Sequence, residues 1–231
     1  MAHSYNENHL LKRIGWLRAA VLGANDGILS TSSLIIGVAS ASGARKEILI
    51  AGVAGIVAGA MSMAAGEYVS VSSQSDTEQA DLARERQELD QHPEAELNEL
   101  TGIYVKRGVD KSLAREVSIQ LMNKDALGAH ARDELGISEN TTARPIQAAF
   151  TSAGTFTVGA VLPLLTVLVC PAHILIPAVS VASLAFLALL GATGAKAGGA
   201  NILKATIRVT FWGALAMALA AGVGTIFGTR L

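Results

Sequence analysis

Charge and cysteine are both scarce in this sequence. Asp, Glu, Lys and Arg make up only 16% of its 231 residues, whereas a soluble domain carries about 25%. Hydrophobic residues account for 51%, so we expect lipid rather than water to surround much of the chain. The single cysteine, Cys170, excludes an internal disulfide and a zinc site built on a Cys-x-x-Cys pair. Any bound metal would therefore be held by oxygen, imidazole or thioether ligands.

A secretory signal peptide is also missing from the start of the sequence. The polar stretch MAHSYNENHLLKRIGW lacks a short apolar core followed by a small-residue cleavage site. We therefore expect this tail to remain attached and to lie in the cytoplasm. Because no organelle-targeting signal is evident, the plasma (inner) membrane is the default location.

Five stretches reach the roughly 20 apolar residues that a helix needs to cross a hydrocarbon core of about 30 Å. They cover residues 16–41, 48–72, 146–169, 174–195 and 203–227. The sequence thus predicts an all-α membrane protein with five transmembrane helices. The glycine-rich stretch ATGAKAGGAN, between the fourth and fifth spans, is interpreted as a turn because it lacks the spacing of a phosphate-binding loop.

An acidic segment separates the second and third spans. Fifteen of the nineteen Asp and Glu residues fall between positions 76 and 139. Strong helix formers dominate its first part and no Pro or Gly interrupts it, so the second span should continue into it as one long helix. Pro93, Gly108 and Gly136 then delimit shorter helices over residues 94–107, 111–123 and 125–135. We expect three regions: residues 1–75, the acidic helical domain 76–143, and residues 144–231.

Basic residues beside the spans predict the orientation of the chain, because they concentrate on the cytoplasmic side. With five spans, one side collects Lys12, Arg13, Arg18, Arg144, Lys196, Lys204 and Arg208. Only Arg45, Lys46 and Arg230 favour the other side. We therefore expect the N-terminus and the acidic domain to be cytoplasmic and the C-terminus to lie outside.

A stripe of carboxylates is the sharpest feature of the acidic domain. Its members recur at spacings of 3, 4 and 3 residues, which places them within about 80° on one helix face: Glu78, Asp81, Glu85 and Glu88. Like charges at this spacing repel by a few tenths of a kcal/mol per pair. A divalent cation would offset the repulsion. The alternative is a solvated face that Arg84 and Arg86 partly neutralise.

Two further pairs favour the metal hypothesis. Glu96 and Glu99 repeat the Glu-x-x-Glu spacing, and His130 with Glu134 offers imidazole and carboxylate one helical turn apart. Carboxylate oxygen with an occasional imidazole suits Mn(II) and Fe(II), whereas zinc more often recruits thiolates or several histidines. The alternative is that His130, as a lone histidine on a helix, belongs to the surface.

Four residues within the first two spans are candidates for an ion path. Asp26 lies well inside the first span, where a charge costs roughly 2.5–3.5 kcal/mol and normally faces an interior cavity. The run Asn25-Asp26-Gly27 could break the helix there and free carbonyl oxygens. Glu67 is the second acid, Met63 lies one turn before it, and Met61 is close by. Thioether sulfur tolerates Fe(II) and rejects hard cations. The alternatives are an interfacial Asp26 and methionines that only pack.

These residues together resemble the vacuolar iron transporter family over essentially the whole chain. The resemblance is carried by Asp26-Gly27 before an apolar run, by AGAMSMAAGEYVSVSSQSD leading into a charged helix, and by the glutamates Glu85, Glu88, Glu96, Glu99 and Glu134. It implies a homodimer that moves Fe(II), and in some members Mn(II), out of the cytoplasm in exchange for protons. The five glutamates would bind metal in the cytoplasm. Asp26 and Met63 would act in the membrane.

The chain departs from the family pattern at two positions. His130 stands where some members have a methionine, which would make the capture site harder and more tolerant of Mn(II). Gly55 stands where some members have a glutamate, which moves the second membrane acid to Glu67.

The resulting hypothesis is a proton-coupled Fe(II)/Mn(II) exporter with lipid, metal ions and protons as partners. We expect no enzyme activity, no prosthetic group and no nucleic-acid partner. One alternative is a metal-gated channel or metal sensor without proton coupling. The other is a membrane-bound di-iron oxidase, although that class supplies Glu-x-x-His pairs and this sequence has none.

Overall fold

The structure is a computed structural model that describes residues 14–41, 44–137 and 143–228. Within those ranges the chain forms seven α-helices, a short 3₁₀ helix (Ala172–Ile174) and no strand. The helices are α1 (Ile14–Ser40), α2 (Arg45–Gln91), α3 (Pro93–Lys106), α4 (Lys111–Asp133), α5 (Pro145–Val169), α6 (Leu175–Ala197) and α7 (Ile202–Gly228). The predicted all-α class is confirmed. The N-terminal tail, predicted to be cytoplasmic, lies outside the described residues up to position 13.

Five of the described helices are long and apolar enough to cross a membrane. They are α1, α2, α5, α6 with its preceding 3₁₀ turn, and α7. The five predicted spans are therefore present in the predicted order. The spans could be predicted from apolar stretches because an isolated segment that crosses a bilayer can satisfy its backbone hydrogen bonds only by forming a helix.

The second of these helices, α2, is far longer than a membrane requires. Its 47 residues run without interruption from Arg45 to Gln91, which at 1.5 Å per residue is about 70 Å. A hydrocarbon core of about 30 Å can hold less than half of that length. The prediction that the second span continues as one helix into the acidic segment is correct, and the polar part of α2 lies outside the spanning segment.

The chain divides into two compact units. The first comprises Met1–Tyr68 with Ile146–Leu231, and the second comprises Val69–Pro145. In the first unit α1, α6 and α7 pack against one another. One buried apolar cluster of this unit is formed by Ile35, Ile36, Ile48, Val167, Leu175, Val179 and Met217.

Helices α1 and α5 of the first unit meet at glycines. A side chain at Gly27 would collide with the backbone of Phe156, and one at Gly159 would collide with the backbone of Ala24. Contacts this close are typical of helix pairs inside membranes. The possible helix break at Asn25-Asp26-Gly27 is not observed, because α1 is continuous through these residues. Gly27 serves close packing, and the backbone keeps its helical hydrogen bonds.

The connection between α6 and α7 is shorter than predicted. Helix α6 continues through most of the glycine-rich stretch and ends at Ala197, which leaves only residues 198–201 as the turn. The reason is again packing. Within the stretch, a side chain at Gly194 would fall 3.3 Å from a methyl carbon of Val21 on α1, so this glycine lies in a helix contact instead of ending the helix.

Short helices build the second unit, and their ends follow recognisable signals. Pro93 begins α3, and Gly108, with φ of +94°, follows the end of that helix. Asp110 caps α4, because its carboxylate accepts the backbone N–H of Ser112 at 2.9 Å. The Ser112 hydroxyl also donates to this carboxylate at 2.8 Å, and this bond, followed by the backbone N–H bond, holds the pKa of Asp110 below its usual value.

Helix α4 contains one residue that is not helical. Asp125 has φ of −165° and ψ of 87°, so the helix is divided there into two parts. The Asp125 carboxylate accepts the backbone N–H of Gly128 at 2.9 Å and so caps the second part. The sequence predicted two helices, 111–123 and 125–135, and the break at Asp125 agrees with that prediction.

Candidate metal centre

Four ligand-type side chains meet inside the second unit. Glu85 comes from α2, Glu96 from α3, and His130 and Glu134 from the end of α4. Each offers one ligand atom, and these atoms all lie within 4.8 Å of one another. Three helices therefore converge on a volume that one metal ion could fill.

Local backbone geometry explains how these side chains reach the same point. Glu96 lies in the first turn of α3, just after Pro93. His130 lies in the short part of α4 that follows the break at Asp125. Glu134 is the residue that ends α4, and its N–H donates to the carbonyl of His130 at 2.9 Å.

Three of the four side chains are buried, although ionisable groups rarely are. His130 is fully buried, Glu85 is 3% exposed, and Glu96 is also buried. Glu134 forms the solvent-facing edge of the group. Buried charge is costly unless it is paired or coordinates a metal.

The available hydrogen bonds do not satisfy this group. His130 Nδ1 lies 2.9 Å from Glu85 Oε1, 2.9 Å from Glu134 Oε2 and 3.8 Å from Glu96 Oε2. One ring nitrogen carries at most one proton, and the geometry directs it to Glu134. Glu85 Oε1 is left without a donor, and His130 Nε2 is also buried without a partner. An unpartnered buried carboxylate oxygen marks a place for a cation.

The crowding of carboxylates perturbs their titration. Burial, followed by the charge of Glu134, raises the pKa of Glu85 from 4.5 to about 7. Burial and then the charge of Glu99 raise the pKa of Glu96 above its ordinary value. Both carboxylates therefore hold a proton more readily than ordinary glutamates while no cation is bound.

The donor set fits a dication that prefers oxygen. Three ionised carboxylates carry three negative charges, and an imidazole that binds a metal is neutral. A divalent ion would neutralise two of the three charges. Three oxygens with one imidazole suit Fe(II) and Mn(II), and the group contains no thiolate that would favour zinc.

The family-model comparison supplies an independent observation. Residues 17–225 match the model of the VIT family. The chain belongs to the VIT family.

Curated relatives agree with this membership. A protein named vacuolar iron transporter from Acanthamoeba castellanii is 50% identical over 216 residues, which cover 93% of this chain and 80% of that protein. Vacuolar iron transporter homolog 1 from Oryza sativa subsp. japonica is 38% identical, over 94% of this chain and 75% of its own. Vacuolar iron transporter homolog 1 from Arabidopsis thaliana is 36% identical, over 95% and 86%. With five helices able to span a bilayer, this VIT-family chain is a multi-pass membrane protein.

Two predicted ligands of the VIT-family chain lie just outside the group. Glu88 and Glu99 are exposed at the surface of the second unit. Each still acts through its charge, because Glu88 raises the pKa of Glu85 and Glu99 raises that of Glu96. They form an outer pair of carboxylates beside the buried group.

The first half of the predicted stripe is engaged elsewhere. Glu78 accepts a hydrogen bond from Gln74 at 2.7 Å. Asp81 pairs with Arg84 at 3.5 Å, and both side chains are substantially exposed. In the structure this half of the stripe makes local contacts on α2 and lies outside the buried group.

The membrane candidates differ in how far their side chains are exposed. Asp26, Met63 and Glu67 are each partly exposed, and Met61 is 67% exposed. Within the described part of the chain, neither the Asp26 nor the Glu67 carboxylate has a hydrogen-bond or salt-bridge partner. Besides the main-chain bonds of α1, the Ser30 hydroxyl donates to the backbone carbonyl of Asp26 at 2.6 Å.

Two residues position the last part of α4, which carries His130, and neither was identified from the sequence. Asp125 caps the short helical part that carries His130, and Asp133 is held by Tyr104 and Arg107. The signal for Asp125 was present as an Asp followed three residues later by Gly. Asp133 offered no comparable signal, because its partners are 26 and 29 positions away.

Proposed function

We propose that this VIT-family chain exports Fe(II), Mn(II) or both from the cytoplasm, and that protons move in exchange. The observation that carries the proposal is the buried, charge-rich group of Glu85, Glu96, His130 and Glu134. Such a group in a chain with five membrane-spanning helices serves capture of a metal for transport. The names of the relatives, which describe iron transporters, support the same function.

The buried group would capture the metal, and the outer carboxylates would attract it. Glu88 and Glu99 stay solvated and add negative potential beside the opening formed by Glu134. A dication that enters would displace protons held by the buried carboxylates Glu85 and Glu96, because a carboxylate cannot hold both a proton and a dication well. Capture at this point thus concentrates metal and releases protons.

In the membrane, Asp26 would take the ion, with Glu67 as the second acid and Met63 favouring softer ions. The absence of a counter-charge for Asp26 within the described residues supports this assignment, because a paired carboxylate would already be neutralised. Protonation of Asp26 or Glu67 from outside would then release the metal. Met61, which is largely exposed, is the weaker thioether candidate.

We further propose a homodimer in which α2 contributes to the interface. Small residues recur every four positions on one exposed face of α2, at Ala54, Ala58, Ser62 and Gly66. This stripe resembles the small-xxx-small faces that let membrane helices approach closely. Ala58→Leu combined with Ser62→Leu should reduce cross-linking to dimer, and Ala185→Leu on the exposed surface of α6 should not.

The orientation and location complete the proposal. Residues 76–143 would form a cytoplasmic metal-binding domain, between residues 1–75 and 144–231. The plasma (inner) membrane remains a prediction from the sequence, while the names of the relatives refer to the vacuole. Localisation of the tagged full-length chain in its own cell would decide between the two membranes.

Transport in vesicles tests the function directly. Purified protein would be reconstituted into liposomes with Fe(II) or Mn(II) at equal concentration on both sides, and a pH gradient would be imposed. We expect metal to move against its own developing gradient and to stop when an ionophore removes the pH gradient. Movement only down a metal gradient would support the channel alternative, and binding without movement would support the sensor. Consumption of oxygen with Fe(II) oxidation would support the oxidase.

A further inference from the structure

Three polar contacts converge on Asp133 at the end of α4. The Tyr104 hydroxyl donates to Asp133 Oδ2 at 2.7 Å, and the Arg107 guanidinium donates to Oδ1. Arg107 Nη2 also donates to the backbone carbonyl of Asp133 at 3.1 Å. The guanidinium carbon lies 5.5 Å from the centre of the Tyr104 ring. Both the side chain and the main chain of Asp133 are thereby fixed to the C-terminal part of α3.

The residue after Asp133 is Glu134, the least buried of the four proposed ligands. Its side chain is 27% exposed, whereas those of the other three are 9% exposed or less. Glu134 also lies beyond the last helical residue of α4, with φ of −99° and ψ of −58°. Packing restrains it less than the others, so its position depends on the backbone immediately before it.

We propose that Tyr104 and Arg107 are positioning residues for the metal centre, which hold Asp133 so that the Glu134 carboxylate stays beside His130 Nδ1. This inference rests on the proposed function, since it takes the four-residue group as a metal site. Partners that orient the ligands of a metal typically change its affinity by 10–100-fold when they are removed.

An arginine on α4, Arg115, provides a matched control. Arg115 also joins α3 to α4, through Glu94 Oε1 at 2.6 Å and Asn98 Oδ1 at 2.9 Å. It is an arginine–carboxylate pair between the same two helices, as Arg107–Asp133 is, but it does not contact Asp133. Removal of either arginine costs the second unit one such pair, and only removal of Arg107 frees the residue before Glu134.

Metal affinity of the full-length protein in detergent measures the effect. Mn(II) would be titrated and free Mn(II) followed by its paramagnetic resonance signal, with the melting temperature recorded for every variant. Arg107→Gln should weaken binding about tenfold and Tyr104→Phe by a smaller factor, while Arg115→Gln should stay within about twofold of the wild type. Arg107→Lys keeps the cation but cannot reach both Asp133 oxygens with the same geometry, and it should give an intermediate affinity.

A double-variant comparison separates positioning from general stability. In a Glu134→Gln background the ligand charge is already lost, so Arg107→Gln should weaken binding by less than about twofold further. Equal losses for Arg107→Gln and Arg115→Gln, or the same tenfold loss with and without Glu134, would overturn the positioning role. A wild-type protein that binds no Mn(II) would instead refute the proposed metal site, and the positioning role with it.

Discussion

Replacement of Glu85 by glutamine should change stability and metal binding in opposite directions. The carboxylate is buried beside Glu96 and Glu134, and its Oε1 has no hydrogen-bond donor. Glutamine keeps the shape, removes the charge and offers two N–H donors to the neighbouring carboxylates. Without metal, Glu85→Gln should therefore stabilise the second unit. With metal, it should remove one anionic ligand.

The magnitude follows from the raised pKa of Glu85. A pKa of about 7 instead of 4.5 corresponds to about 3 kcal/mol of destabilisation once the group is ionised, at 1.36 kcal/mol per pKa unit. Between these two pH values the folded protein binds more protons than the unfolded protein does, so stability falls as the pH rises through this window. The full destabilisation applies above pH 7. At pH 8, Glu85→Gln should recover part of this 3 kcal/mol of stability. The stability of the variant should also depend less on pH than that of the wild type.

The assay is thermal unfolding of the full-length protein in detergent, in chelator and in Mn(II), from pH 5 to pH 8. In chelator at pH 8, Glu85→Gln should melt several degrees higher than the wild type, and the difference should shrink towards pH 5. The increase in melting temperature caused by Mn(II) should be large for the wild type and small for the variant. Glu116→Gln is the control, because it removes an exposed carboxylate from α4 and should change neither quantity. A variant that melts lower in chelator, or that keeps the full Mn(II) effect, would refute the reasoning.

Three further predictions concern the first unit and the orientation of the chain. Asp26→Asn should abolish transport in vesicles at every metal concentration, while the Mn(II) affinity of the detergent-solubilised protein should stay within about twofold of the wild type. Normal pH-driven transport by this variant would exclude Asp26 from the coupling. Gly27→Ala should destabilise the protein by about 1–3 kcal/mol through collision with α5. Gly154→Ala, at an exposed position of α5 where an added methyl group meets no atom within 4 Å, should be neutral in a comparison of melting temperatures. In a cysteine-free background, Lys111→Cys should react with an impermeant thiol reagent only from the cytoplasmic side, and Ala172→Cys only from the outside. Labelling of both variants from the same side would mean that the number of spans is wrong.

The membrane spans could be predicted because each depends only on local composition. Hydropathy does not reveal what a glycine does, however. Gly194 and Gly27 both lie in stretches that suggested an interruption in the sequence, and in the structure both lie against a neighbouring helix. Whether a glycine bends a helix or packs it depends on the partner helix, and the partner is not local in sequence.

The candidate site could be predicted in part for a similar reason. Helical periodicity correctly placed His130 and Glu134 within contact, because residues four apart on a helix are neighbours. It also grouped Glu78 with Glu85 on one face of α2, and only Glu85 joins the buried group. Glu85 is buried because α3 and the end of α4 cover α2 at that position. The place where they cover it depends on the break at Asp125 and on contacts between residues distant in sequence, so periodicity does not reveal it.

The break at Asp125 leaves His130 on a helical stretch of very few residues, from position 126 to 133. A helix of that length is not stable alone in water, where about 12–15 residues are needed. Its order must come from burial of Ala129 and Ala131, from the Asp125 cap, from the contacts of Asp133 and from the proposed metal ion. Occupancy of the proposed metal centre and local order of this stretch would therefore be thermodynamically linked. Loss of the ion would make opening and solvent exchange of these amides easier, and local unfolding would be a route for releasing the ion.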